Sequence, residues 1–63
     1  MTPADRQTLL DAAELLDEDA RELFACHTIR GAWPDYEQNA KAIFDRTQRV
    51  AQALRRIAAR APQ

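Results

Sequence analysis

The sequence predicts an all-α fold: an antiparallel two-helix hairpin that homodimerises into a four-helix bundle. Three observations carry this expectation. The chain has 63 residues with one Gly and one Cys, too little for a turn-rich β design or an intrachain disulfide framework. Apolar residues recur at helical spacing along two long stretches, and the breakers between those stretches are confined to Gly31 and Pro34. A unit this small rarely encloses a sufficient core alone, so a second copy is expected to complete it.

The first helix is expected over about residues 3–29. Thr2 is placed to cap it, Pro3 suits the first helical position because its missing N–H is not needed there, and Asp5 faces the positive helix end. Residues 30–34 form the turn, where Gly31 can adopt the left-handed conformation and Trp33-Pro34 blocks simple continuation. Asp35, with Gln38 three residues later, reads as a capping box for a second helix over about 35–60, which meets no breaker before Pro62. The whole chain, 1–63, is read as one domain, and Met1 as the start of a complete small gene product.

Along the second helix, Tyr36, Ala40, Ile43, Thr47, Val50, Leu54, Ile57 and Ala61 fall at alternating steps of four and three. Leu9, Ala13, Leu16, Ala20, Leu23 and His27 form a matching series in the first. With so short a turn the helices run antiparallel, so that Leu9 lies near Leu54 and Ile57, Leu16 near Thr47 and Val50, and Leu23 near Ala40 and Ile43. Leu10, Leu15, Phe24 and Phe44 flank these seams and cannot all be enclosed by one hairpin. Leu10, Leu15 and Phe44 are therefore assigned to a second, intermolecular interface.

Charge is divided along the chain. Residues 1–22 sum to minus five and residues 23–63 to plus four. In an antiparallel hairpin the acidic stretch from Asp11 to Glu22 lies beside the basic stretch from Arg46 to Arg55, and opposed blocks favour this register over others. Arg49, Arg56 and Arg60, spaced by seven and four on one outer helix face, are the candidate contacts for a nucleic-acid backbone. The near-neutral total and the lack of aromatic residues interleaved with these arginines favour a protein partner instead.

No catalytic residue, metal site or cofactor is expected. Cys26 and His27 are adjacent and diverge by about 100° on a helix, so they do not form a chelating or nucleophile–base pair. His27 is expected to close the seam, bonded to Tyr36 or a loop carbonyl, and Cys26 to fill space. Trp33 is expected to fold over the bundle end against Leu23, His27 or Tyr36; the rival reading leaves it exposed as the anchor for a partner. No apolar run reaches the ~20 residues that span a bilayer, and no secretory signal is legible, so a cytoplasmic location without membrane contact is expected.

Trp33-Pro34-Asp35 followed by Ala40-Lys41-Ala42, Asp45 and the Val50–Ile57 segment resembles the tail of small helical accessory proteins encoded by phages and prophages. That resemblance implies a non-enzymatic accessory factor. In length, short turn and alternating large and small layers, the chain is also similar to Rop-type dimeric bundles, which bind paired RNA loops. This second likeness concerns architecture, and no RNA-binding residue carries over.

Overall fold

The structure, a computed structural model, describes residues 1–60. Helix α1 spans Pro3–His27, a single 3-10 turn spans Asp35–Glu37, and helix α2 spans Gln38–Arg60. The two helices pack as a hairpin about 45 Å long and 15 Å across. No helix among the described residues is long and apolar enough to cross a membrane.

The start of α1 follows from its first residues. Thr2 is extended, and its Oγ1 accepts the Asp5 N–H at 3.0 Å. Its carbonyl accepts the Arg6 N–H at 3.0 Å, and Pro3 takes the first helical position. At the other end the helix stops at His27, two residues before the expected limit. Thr28 turns extended there and satisfies the last turn, donating both its N–H (3.2 Å) and its hydroxyl (2.6 Å) to the Phe24 carbonyl.

Residues 29–32 hold a feature the sequence reading lacked. Ile29 and Ala32 exchange both backbone hydrogen bonds, at 2.9 and 3.1 Å, around Arg30 and Gly31, whose φ values are 55° and 81°. Positive φ at both central residues with reciprocal bonding is the signature of a type I′ hairpin turn. Gly31 tolerates that conformation freely, whereas Arg30 holds it at a steric cost.

The expected Asp35–Gln38 capping box does not form. Pro34 occupies the cap position without a side-chain cap bond, and its carbonyl accepts the Glu37 N–H at 2.9 Å and the Gln38 side-chain amide at 3.3 Å. Proline's locked φ of −64°, with ψ of 158°, leads directly into the 3-10 turn, so Asp35 enters the turn instead of standing before it.

The helices meet through their smallest residues. Ala13 and Ala20 of α1 and Ala40, Ala51 and Ala58 of α2 make up the buried core, and no large side chain among the described residues is fully buried. On α2 the inward series is Ala40, Phe44, Thr47, Ala51, Leu54 and Ala58: it keeps Ala40, Thr47 and Leu54 of the expected series and has 44, 51 and 58 in place of 43, 50 and 57. Exchanging the i+3 residues for the i+4 residues turns the inward face by about 50°. Ile43, Val50 and Ile57 accordingly lie beside the seam and are 42%, 41% and 45% exposed, while Tyr36 is 78% exposed. Alanine lets two helix backbones approach more closely than β-branched residues do, and close approach increases dispersion contacts along the whole seam. Ala61 and Pro62 lie outside the described residues.

Candidate functional site

The hairpin has two unlike faces. On the first, Leu9, Leu16 and Leu23 recur every seven residues along α1, and Ile43, Val50 and Ile57 do so along α2. Residues seven apart on a helix share a face, and Leu23 and Ile43 line one shallow hollow together with Asp19, Glu22, Cys26, His27 and Thr47. In the antiparallel register Leu16 therefore sits level with Val50 and Leu9 with Ile57. The result is an apolar strip three layers long, its leucines part-exposed and its β-branched residues nearly half exposed.

The second face carries an aromatic cluster and an ion pair. Trp33 packs on Phe44 with ring centroids 5.2 Å apart and edge-on to Phe24 at 6.1 Å, and Phe24 and Phe44 are 5.9 Å apart. Trp33 thus folds back over the turn end of the hairpin, but onto these two phenylalanines and not onto Leu23, His27 or Tyr36. It remains part-exposed, as does Phe44, and Phe24 is exposed. Toward the middle of this face both terminal nitrogens of the Arg55 guanidinium donate to the Asp17 carboxylate. The Arg55 hydrogen bond holds the Asp17 carboxyl below its ordinary 3.8, against the opposing effect of desolvation and helped by the charges of Arg55 and Arg21. The same bond raises the Arg55 pKa.

The remaining expected residues are scattered over the molecule. Leu10 and Leu54 are part-buried at the seam, and Leu15 is 62% exposed on the outer side of α1. Leu10, seven residues before Asp17 and fourteen before Phe24, lies toward the second face with Phe44, so of Leu10, Leu15 and Phe44 only Leu15 stands apart. His27 Nδ1 lies 2.8 Å from Glu37 Oε2, which ties the end of α1 to the start of the second helical stretch. Glu37 takes the place expected for Tyr36 or a loop carbonyl because the 3-10 turn swings Tyr36 outward. Cys26 is exposed and free.

Arg49, Arg56 and Arg60 are all exposed, and none has an ion-pair partner among the described residues. At about 100° per residue Arg49 and Arg56 project from the side of α2 opposite the alanine seam, and Arg60 lies between that side and the edge of the strip at Ile57. Among the described residues no three His, Cys, Asp or Glu side chains converge closely enough to share a metal ion.

No family model, curated protein or solved structure matches the chain. The two-helix hairpin itself is what the fold establishes, and the resemblances to phage-encoded accessory proteins and to Rop-type bundles find no support in those comparisons.

Proposed function

We propose that this chain acts as a homodimeric, non-enzymatic helical accessory factor that binds other proteins. A core made of five alanines, beside a six-residue apolar strip left open to water, carries the reading. Enclosing Leu9, Leu16, Leu23, Ile43, Val50 and Ile57 requires a second surface of the same length, and a second copy supplies one. The accessible surface is 4696 Å², against about 4,100 Å² for a compact monomer of this mass. A face of 45 by 15 Å corresponds to roughly 700 Å² from each copy, which falls within the 1,200–2,000 Å² total of stable specific interfaces.

With the apolar strip covered, the cluster of Trp33, Phe24 and Phe44 remains outside the dimer as the contact surface for a different protein, with Trp33 as its anchor. Sedimentation equilibrium at micromolar concentration tests the reading, and a mass of twice the chain's 7.2 kDa is expected. A mass of one chain would overturn it.

That Arg49, Arg56 and Arg60 are exposed and have no ion-pair partner among the described residues supports a second reading, in which the dimer binds an RNA or DNA backbone. Titration of labelled RNA and DNA at two salt concentrations separates the two. Affinity that falls steeply with salt favours the nucleic acid, and no binding at low salt removes it.

A further inference from the structure

We infer that two copies of this chain pair with their turns at the same end, so that α1 of each lies against α2 of the other. This rests on the homodimer proposed above and adds its orientation. The apolar strip alone does not choose. Its three layers are symmetric about Leu16 and Val50, and they stack equally well if one hairpin is turned end over end.

The edges of the strip do choose. Outside the leucines on α1 run Asp5, Ala12, Asp19 and Cys26, every seventh residue, and outside the β-branched residues on α2 run Asn39, Arg46, Ala53 and Arg60. These edges lie on opposite margins of one hairpin. Among the described residues none of Asp5, Asp19, Arg46 or Arg60 has an ion-pair partner in its own chain.

A twofold axis along the bundle brings the α1 edge of one copy against the α2 edge of the other at the height set by the hairpin's own register. His27 with Glu37 and Leu23 with Ile43 fix that register. Asp5 then meets Arg60 of the second copy, Ala12 meets Ala53, Asp19 meets Arg46 and Cys26 meets Asn39. Both acids find bases and small faces small, twice over by symmetry. With the twofold axis across the bundle, α1 lies on α1 instead. Asp19 then faces Ala12, Arg46 faces Ala53, and all four charges lack partners. Electrostatic complementarity sets the register and orientation of an interface more strongly than its raw affinity, and that is its role here.

Spin labels on Ala32→Cys in a Cys26→Ser background test the orientation, because Ala32 is exposed at the turn and its backbone bonds do not depend on its side chain. Turns at one end put the labels about 15–25 Å apart, from helix spacings of 8–10 Å plus the label arms. A separation near the 45 Å length of the rod would overturn the inference while leaving the homodimer standing. A monomeric mass would overturn both. Charge reversal supplies the cause: Asp19→Arg and Arg46→Asp should each raise the dimer Kd about tenfold, and the double variant should recover most of that. Failure of the double variant to recover counts against the pairing.

Discussion

Ala51→Leu tests which side of α2 faces α1. Ala51 is 0% exposed and sits in a seam where Ala13 is also 0% exposed, so the added carbons have no space unless the helices separate. Overfilling a packed site costs about 1–3 kcal/mol. In a domain of this size each kcal/mol lowers Tm by about 4–8 °C, so a fall of roughly 4–24 °C is expected. Ala42→Leu is the control: Ala42 is exposed on the same helix, and a change there should stay within about 0.5 kcal/mol. Melting followed by circular dichroism at matched concentrations compares the two. Had Val50 faced α1, position 51 would lie on the flank, and the larger side chain there would add apolar contact. Equal melting temperatures for the two variants would therefore refute the alanine seam.

Three further outcomes follow from the same geometry. Gly31→Ala should cost about 1–2 kcal/mol in thermal melts, because φ of 81° strains any residue with a Cβ although the nearest neighbour, a Phe24 ring carbon, leaves room at 3.8 Å. Asp17 has a pKa depressed in the folded chain, so its contribution to stability is present above pH about 4 and is lost as pH falls through the folded value; Asp17→Asn should flatten that part of an acid-unfolding profile. Leu16→Ala should destabilise the assembled protein by roughly 2–5 kcal/mol, and the loss should shrink on dilution, because Leu16 is only part-buried in one chain.

Much of the fold was legible because its signals are local. A cap such as Thr2, an N-terminal Pro3 and a breaker such as Gly31 act within one turn of chain, and each holds in the structure. Signals that depend on a neighbour were misplaced. Asp35 had the right chemistry for a cap, but Pro34 beside it determines where the turn begins. Trp33 was legible as a residue that folds back, but its phenylalanine partners come from both helices and share no spacing that marks them. Of the open strip, Leu9, Leu16, Leu23, Ile43, Val50 and Ile57 all appear as interface candidates in the sequence. Their grouping on one face, apart from Leu10, Leu15 and Phe44, does not.

The sequence by itself determined two breaker-free helices, their antiparallel hairpin and the heptad repeat in each, because backbone propensity and short connections leave no other arrangement for these residues. Only the tertiary structure decided how far α2 is rotated about its axis. Two apolar series, through Ile43, Val50 and Ile57 and through Phe44, Ala51 and Ala58, run one residue apart, and hydrophobicity alone ranks the bulky one first. Packing reverses that order, since alanines at the contact bring the backbones close along the whole length, and the bulky residues are then left at the side, where a second copy can cover them.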